Sequence, residues 1–565
     1  MTYTVITTVM GNMGICERIA LPKWGLSGLF LIGNIGACMY SGSSLALDWR
    51  ITPNLSAREV FSDNLMLSQG NKKSGFVSEI DPGLSLYGSS PWSSFNLNYR
   101  LQGLYNAGGR DAVDINHQLN MNSLYQAIRN KLFIETSSSI SQQNISNAFV
   151  STDNISGNGS RIESKTFSIS PYWTPSFGQY ANGLFKVGYN KSSFDNSNGS
   201  TVSPLLSSNL NLISDSETYT RQARLTSGSA FNRVSWGLNY SSQQQNRVSG
   251  QDVRFEQYQG DTRYYINRKF NVFGQAGYSN NDYQTLSNSI NNGFFYTFGA
   301  QWSPSRWYSL EAGYGNNKHV TMQFNPSANL NSNVTYRDKS VGLNTGSSWD
   351  ASFNYLFKQA AIGFNYSQET TTLQQLLTQQ GFFLRDSSGN FTQVANTQDL
   401  FTQGFLSLDS SGNLIKGPNY NNSQLVFNPF DLVDDVIIRK RGNLTFSYQT
   451  GKSSYNASMF NERRTYGKRT GEDLSYGVSG GWQWQYEPRL SFYLQPSWMH
   501  TEGSLSSNTR YDVALGVSRS VPINLGRPLL MNTGLELRHI NLMSDSAQFG
   551  GYVENRATAN FNVRF

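Results

Sequence analysis

Charged side chains are scarce in this sequence. Only 14% of its 565 residues are Asp, Glu, Lys or Arg, whereas soluble domains have about 25%. Apolar residues make up 38%, below the roughly 45–50% of soluble domains. Disordered chains are also poor in apolar residues, but they have few aromatic rings, and here 13% of the residues are Phe, Trp or Tyr. The two shortages therefore argue against both an ordinary soluble domain and a disordered chain.

Cysteine and histidine are rare as well. The two cysteines, Cys16 and Cys38, lie near the start of the chain, and the four histidines are scattered. Metal sites need several such ligands at fixed spacing, and no nucleophile elbow, phosphate-binding loop or dinucleotide fingerprint is present. We therefore predict no enzyme activity, no metal and no cofactor. The acidic pair Asp434-Asp435 is predicted to be solvated loop charge, with a bound cation as the alternative.

The net charge of +7 is not gathered into a basic block. The nearest approach to one, Arg439-Lys440-Arg441, is too short for a nucleic-acid patch. We predict that it lies at a strand end and meets anionic lipid headgroups. No nucleic-acid partner is expected.

Long apolar runs are absent except at the start of the chain. Arg18 and Lys23 precede an apolar run at residues 24–40, and the small-residue pattern Ser44-Leu45-Ala46 follows it. This order predicts a secretory signal peptide over residues 1–46, cleaved between Ala46 and Leu47. The run is too short and too rich in glycine to predict a membrane-spanning helix.

Alternation of apolar and polar residues is the main pattern in the rest of the chain. Over residues 95–101, Phe95, Leu97 and Tyr99 alternate with Asn96 and Asn98. Side chains alternate across a strand, so such a segment has one apolar face and one polar face. Similar segments recur to the end of the chain, which predicts an all-β fold.

The lengths of the connections favour a membrane barrel over a soluble sandwich. Short turns alternate with long polar connections, which are predicted at residues 62–74, 145–161, 193–215, 316–344 and 371–436. Outer-membrane barrels have short periplasmic turns and long outer loops. We therefore predict that residues 47–565 form a transmembrane antiparallel β-barrel of about 22 strands, with 20 to 24 acceptable, in the outer membrane of a Gram-negative cell. Its lipid, including lipopolysaccharide, is an expected partner.

The last strand resembles the signal that the barrel-assembly machinery reads. Phe561, Val563 and Phe565 lie on one face of this strand, and the sequence ends on Phe565. We therefore predict that this machinery is a partner and that these three residues form the assembly signal.

The lumen of so wide a barrel is either filled or open. Strand-like sequence follows the predicted cleavage site directly, so no plug domain is expected. The connection at residues 371–436 is the predicted gate or lumen-filling loop, and its internal duplication, residues 383–391 and 406–414, predicts two small hairpins. Charged residues expected to face the lumen by strand register are Arg100, Arg224, Arg233, Arg263, Asp261, Glu311, Glu536, Arg538 and Arg556.

Several motifs in the first third of the chain resemble one known family. They include Trp49-Arg50-Ile51-Thr52-Pro53-Asn54-Leu55-Ser56, Glu79-Ile80-Asp81-Pro82-Gly83-Leu84-Ser85-Leu86 and Ser168-Ile169-Ser170-Pro171-Tyr172. The chain resembles the PEP-CTERM system-associated outer-membrane proteins, most strongly over residues 47–190. The resemblance implies a barrel of exosortase and exopolysaccharide loci that assists polymer export, with polysaccharide and a periplasmic polysaccharide-export protein as partners. It supplies no catalytic or binding residues.

The leading hypothesis is therefore an outer-membrane conduit for exopolysaccharide. Two alternatives stay open at this point. One is a general or substrate-specific diffusion porin, and the other is a structural or adhesive surface barrel with a closed lumen.

The predicted leader can be tested on the purified membrane form. Mass spectrometry of its N-terminal peptide should give Leu47 as the first residue, and the protein should carry no thiol. The sequence Ile35-Gly36-Ala37-Cys38 also resembles a lipoprotein box, so a lipidated Cys38 at the N-terminus would contradict cleavage after Ala46.

Overall fold

A computed structural model gives the fold of most of the chain. It describes residues 48–107, 113–144, 154–157, 161–195, 214–248, 251–283, 291–379, 383–385, 391–393, 406–408, 414–416, 430, 434–503, 506–524, 528–545 and 550–565. The predicted signal peptide and its cleavage site, Ala46 and Leu47, lie outside the described residues. Within the described ranges, no helix is both long and apolar enough to cross a bilayer.

One antiparallel sheet of 25 strands contains nearly all of the regular structure. One of its members, β7 (Ser176–Phe177), has only two residues, so 24 strands form the wall. These 24 strands are β1 (Asp48–Ser62), β2 (Gly75–Ser90), β3 (Ser93–Asn106), β4 (Val113–Ile128), β5 (Leu132–Asn144), β6 (Arg161–Trp173), β8 (Ala181–Asp195), β9 (Ser216–Ser227), β10 (Val234–Arg247), β11 (Val253–Tyr265), β12 (Phe270–Asp282), β13 (Gly293–Ser305), β14 (Tyr308–Gly315), β15 (Asn317–Phe324), β16 (Leu330–Lys339), β17 (Gly346–Leu356), β18 (Ala360–Thr372), β23 (Val436–Gln449), β24 (Ser453–Tyr466), β25 (Glu472–Glu487), β26 (Leu490–Glu502), β27 (Ser507–Asn524), β28 (Pro528–Ser544) and β29 (Tyr552–Arg564).

The sheet closes on itself because its first and last strands pair. β1 runs antiparallel to β29, with Asn54 opposite Arg564 and Ser62 opposite Arg556. Every other wall strand pairs with its neighbours in chain order, apart from the short β7 that accompanies β8. The fold is thus a closed antiparallel barrel, as the alternation predicted.

The two rims of the barrel differ in the lengths of their connections. At the rim that holds Asp48 and Phe565, which we call the turn rim, the connections are short, such as residues 91–92, 306–307 and 488–489. At the opposite rim, the loop rim, they include residues 63–74, 145–160, 196–215 and 373–435. This difference between the rims is the one that the sequence predicted.

The strand count of about 22 was too low by two. The predicted long connection at residues 316–344 contains β15 and β16, joined to each other by residues 325–329. These strands are short, and the outward face of β15 begins with Lys318, so its apolar residues are only Val320, Met322 and Phe324. So brief an alternation resembles a polar loop in the sequence alone.

Small structures occupy the connection between β18 and β23. A short helix, α1 (Leu373–Gln379), follows β18 directly. Two hairpins come next: β19 (Phe383–Arg385) pairs with β20 (Phe391–Gln393), and β21 (Leu406–Leu408) pairs with β22 (Leu414–Lys416). The duplication in the sequence therefore predicted both hairpins correctly.

Glycines on the inner face make room for aromatic rings that lie against the wall. A Cβ added to Gly299 would lie 2.1 Å from the carbonyl oxygen of Ala312 and 2.5 Å from Cζ of Phe273. At Gly277 it would lie 2.4 Å from Cζ of Phe295. Each ring covers a glycine on a neighbouring strand, so the inner wall is packed locally without narrowing the whole lumen.

This packing predicts that Gly299→Ala destabilises the barrel. The new methyl group meets backbone at Ala312, which cannot move aside within the sheet, so we expect a loss of about 1–3 kcal/mol in the free energy of unfolding. Denaturant titration of the protein in detergent measures it. The matched control is Gly451→Ala, because a Cβ at that turn position has nothing within 4 Å. Equal stability of the two variants would contradict the proposed packing.

Candidate functional site: the covered half of the lumen

Inward-facing side chains are buried near the loop rim and exposed farther down the wall. On β9, Ser216 and Thr218 are buried, whereas Gln222 and Arg224 are exposed. The same change occurs on three other strands. The residues near the loop rim are buried (Asn116 on β4, Gln245 on β10 and Glu554 on β29), and those farther down are exposed (Asn122, Ser241 and Asn560, in the same order). Protein therefore fills the half of the lumen next to the loop rim.

Part of this filling comes from the connection between β5 and β6. Nδ2 of Asn154 donates to Oε1 of Gln102 at 2.6 Å, and Oγ of Ser156 donates to Oε1 of Glu554 at 2.6 Å. The N–H of Gly157 donates to the carbonyl of Leu65 at 3.0 Å. These partners belong to β3, β29 and the first long connection, so residues 154–157 lie inside the wall rather than above it.

An apolar cluster supports the same segment. Ile155 packs with Val60, Leu65, Val77 and Leu104, and all five are buried. Burial of each such side chain is worth about 1.5–3 kcal/mol, so the segment is held by packing as well as by hydrogen bonds.

The connection between β18 and β23 fills the opposite side of the lumen. Nε2 of Gln375, in α1, donates to Oε1 of Gln243 on β10 at 2.6 Å. Seven strands lie between β18 and β10 around the wall, so this contact spans the interior. Val436 of β23 likewise packs against Val253 and Phe255 of β11, which is equally far around the wall.

Asp434 is the centre of this second contact region. Its carboxylate accepts hydrogen bonds from Oγ of Ser214 at 2.9 Å and from Nε2 of Gln374 at 2.7 Å. Nη1 of Arg247 lies 3.3 Å from Oδ1, and the side chains of Arg247 and Asp434 are 1% and 5% exposed. The aspartate therefore joins three separate parts of the chain in a buried ion pair. We call residues 154–157, α1 and residues 434–435 together the loop layer.

Asp435 is buried beside it and is held by backbone. Its carboxylate accepts the N–H groups of Val436 at 2.7 Å and Lys468 at 2.8 Å. Burial raises the pKa of this carboxyl above its ordinary value, although the two N–H donors act in the opposite direction. The prediction that Asp434-Asp435 is solvated loop charge is thus wrong. The described residues contain no group of three His, Cys, Asp or Glu side chains placed to hold a metal ion.

Charged networks line the wall beneath the loop layer. Glu79 accepts from both Arg58 and Arg100, and Arg100 also lies 2.8 Å from Asp81. On β27 and β28, Nε and Nη2 of Arg538 donate to the two oxygens of Asp512 at 2.7 and 2.5 Å. Such buried charges are tolerated only when they are paired and hydrogen-bonded.

A third network contains the basic run Arg439-Lys440-Arg441. Arg439 donates from Nε and Nη2 to the two oxygens of Glu462, each at 2.8 Å, and Nε of Arg464 donates to the same carboxylate at 2.8 Å. The ring of Phe430 covers Arg464, with the guanidinium carbon 4.0 Å from the ring centre. Arg439 therefore faces the lumen, not lipid headgroups as predicted, because strand register sends alternate residues of the run inward.

The predicted lumen residues divide into paired, exposed and displaced positions. Arg538 and Arg556 are ion-paired toward the loop rim, and Arg100 is ion-paired midway along the wall. Arg263 and Glu311 pair with each other at 2.7 Å, and Glu536 accepts from Tyr493 at 2.8 Å. Arg224 and Asp261 are exposed on the inner face. Arg233 lies in the connection before β10, at the turn rim. The sequence predictions missed Asn154, Ser156 and Gln374. Only their position in long connections distinguished them, because uncharged polar residues are common throughout the chain.

Comparisons with known proteins give no family. No family model matches the chain, and no curated protein matches it. Solved structures give weak likenesses. The siderophore receptor PirA from Acinetobacter baumannii has 9% identity and a TM-score of 0.41, with 91% of this chain and 80% of that chain covered. The FrpB iron transporter from Neisseria meningitidis, in its apoprotein form, has 9% identity and a TM-score of 0.41, with 91% and 81% covered.

The buried pair at the centre of the loop layer predicts a local effect of Asp434→Asn. The change removes the carboxylate that contacts the buried guanidinium of Arg247, so we expect the layer to lose about 3 kcal/mol, roughly a hundredfold in its opening equilibrium. Hydrogen exchange of the α1 amides should then be correspondingly faster, with the strands unaffected.

The matched control for this prediction is Glu472→Gln. Glu472 lies 3.4 Å from Arg463, and both side chains are about half exposed, so loss of the pair costs about 1 kcal/mol or less. Unchanged exchange of α1 in Asp434→Asn would contradict a holding role for this aspartate.

Proposed function

We propose that the protein is a gated conduit in the outer membrane of a Gram-negative cell. Its wall presents large apolar side chains to the outside: Phe294, Phe298, Leu535 and Leu537 are each 60–64% exposed. A strand needs about 9–11 residues to cross the hydrocarbon core, and most wall strands have 12 or more. An apolar belt of this height suits lipid, and a closed sheet leaves no backbone group unpaired there.

The loop layer supports gating as the mode of action. A constitutively open porin needs a continuous water-filled path, whereas the inward-facing residues of this barrel are buried around much of the loop rim. The layer is built from connections and not from the wall. It can therefore open, in this proposal, without any change in strand pairing.

Exopolysaccharide is the cargo that we propose. The uncovered inner wall carries amides and hydroxyls, such as Asn122, Gln222 and Ser241. Groups of this kind exchange weak hydrogen bonds with sugar hydroxyls, so a chain can slide past them without being trapped. The resemblance to exopolysaccharide-locus barrels supports the same cargo, with a periplasmic polysaccharide-export protein as the partner that delivers it. The absence of a plug domain stays a prediction, because residues 1–47 lie outside the described part of the chain.

Removal of one half of the loop layer should open the conduit. Thr372 and Val436 are directly opposed in the sheet, so a two-residue Asn-Gly turn can replace residues 373–435 and still join β18 to β23. In planar bilayers we expect the wild-type protein to conduct little current. The shortened variant should conduct several-fold more, and Asp434→Asn should lie between the two.

Two results would contradict the proposal at different levels. High conductance of the wild-type protein would make it an open porin and remove the gate. If the conductance results are as expected but a strain that lacks the protein secretes normal amounts of polymer, polysaccharide is not the cargo. The protein would then be a gated channel for another solute.

A further inference from the structure

The inner wall contains a cavity that the loop layer does not use. It has a volume of about 300 Å³ and lies against β11, β12, β13, β15 and β16, beneath the connection between β16 and β17. This volume is at the lower end of the range for small-molecule sites, roughly 300–1,000 Å³. Gln257, in its lining, is exposed, so the cavity is open to the uncovered part of the lumen.

Amides supply most of the hydrogen-bonding groups of the cavity. Gln257 and Gln259 are successive inward-facing residues of β11, and Gln275 lies on β12, diagonally across from Gln259. Nε2 of Gln257 donates to Oε1 of Gln259 at 3.1 Å. A glutamine amide has two donors and an acceptor oxygen with two lone pairs. The three side chains can therefore bind several hydroxyl groups at once.

The charge of the cavity is positive. Arg337 and Lys339 lie two residues apart on β16, so both point to the inner face. Arg337 forms an ion pair with Asp350, whereas no carboxylate of the described residues lies within ion-pair distance of Nζ of Lys339. Among the described residues that line the cavity, none is Asp or Glu.

Two carboxylates among the described residues of the inner wall lie below the cavity. Asp261, directly opposite Gln275 in the sheet, leans over Gly237 of β10, on the side away from β12. Glu311 is already neutralised. Oε1 of Glu311 lies 3.0 Å from Nε2 of His319, which does line the cavity, and its other oxygen lies 2.7 Å from Nη2 of Arg263. The ammonium of Lys339 is therefore the charge that a ligand would meet.

The upper edge of the cavity is rigid before any ligand binds. Oδ1 of Asn317 accepts the N–H groups of Ser340 and Val341 at 3.0 and 3.1 Å, and its Nδ2 donates to the carbonyl of Val341 at 3.1 Å. The N–H of Gly342 donates to the carbonyl of Asn291 at 2.8 Å. A site whose edge is already fixed loses little conformational entropy on binding.

We infer that this cavity binds one carboxylated sugar unit. The sugar carboxylate pairs with Nζ of Lys339, and its hydroxyls bond to the amides of Gln257, Gln259 and Gln275. The inference rests on the proposed function and deepens it, because it makes the cargo a polymer that contains uronic acids. A free sugar acid has the same chemistry, so the two sources must be separated by experiment.

The test is isothermal titration calorimetry of the purified full-length protein in detergent. The ligands are glucuronic acid, a short oligoglucuronate and a neutral gluco-oligosaccharide of the same length. We expect the oligoglucuronate to bind about tenfold more tightly than the neutral oligomer, because its carboxylate makes a charge-assisted contact that a neutral sugar cannot make. Lys339→Gln should remove that difference, and Gln257→Ala with Gln259→Ala should weaken both oligomers.

The matched control is Lys452→Gln, which removes one positive charge from an exposed position in the turn between β23 and β24 and should leave binding unchanged. Tighter binding of the oligomer than of glucuronic acid supports a polymer, and equal binding supports the site with a free sugar acid as its ligand. Equal binding of acidic and neutral oligomers, wild-type binding by Lys339→Gln, or no binding at all would overturn the inference. None of these results depends on conductance or secretion, so they are separable from failure of the gate.

Discussion

The pairing of β1 with β29 is the interaction on which the rest of the structure depends. In a bilayer an unpaired backbone N–H or C=O has no water to bond, and each such group costs several kcal/mol. The register from Asn54 opposite Arg564 to Ser62 opposite Arg556 removes the two free edges of the sheet. Closure makes an inside and an outside, and only then can one face of each strand be apolar and the other polar.

The lumen of the closed barrel is too wide to be filled by the side chains of the wall strands alone. Aromatic rings over glycines, such as Phe273 over Gly299, pack the wall locally. The space near the loop rim is instead filled by connections that reach inward, and the buried Asp434–Arg247 pair joins them to the opposite wall. Buried charges that stabilise little in net terms can still fix one arrangement among several. In this barrel the pair holds residues 434–435 against β10.

The sequence was sufficient to predict the fold class, the difference between the rims and the two hairpins, because these follow from local alternation and turn residues. The predicted number of about 22 strands is two below the 24 of the wall, because β15 has only eight residues and its outward face begins with Lys318. The sequence alone predicts that Arg439 meets lipid headgroups. Its contact with Glu462 depends on the register between β23 and β24, which cannot be derived from the sequence. The loop layer was harder still. Its members, such as Ser156 and Gln374, are ordinary polar residues whose partners lie far away in the chain.

The charged cavity was also beyond the reach of sequence reasoning, for a related reason. Lys339 and Gln257 are 82 residues apart in the numbering and meet only because five strands of wall curve around one point of the lumen. Short strands contribute to this, since β15 and β16 end early and let the next connection close over the wall. The cavity thus lies in a region where the alternation of apolar and polar residues is weak.

The direct opposition of Thr372 and Val436 also bears on how such a barrel changes over time. Everything from residue 373 to residue 435 leaves and re-enters the sheet at one paired position, so its length has no bearing on strand register or on closure. The entropic cost of a loop grows only slowly with its length. Lineages can therefore lengthen, shorten or exchange this insert while they keep the same wall, and the selectivity of the rim can diverge faster than the barrel beneath it.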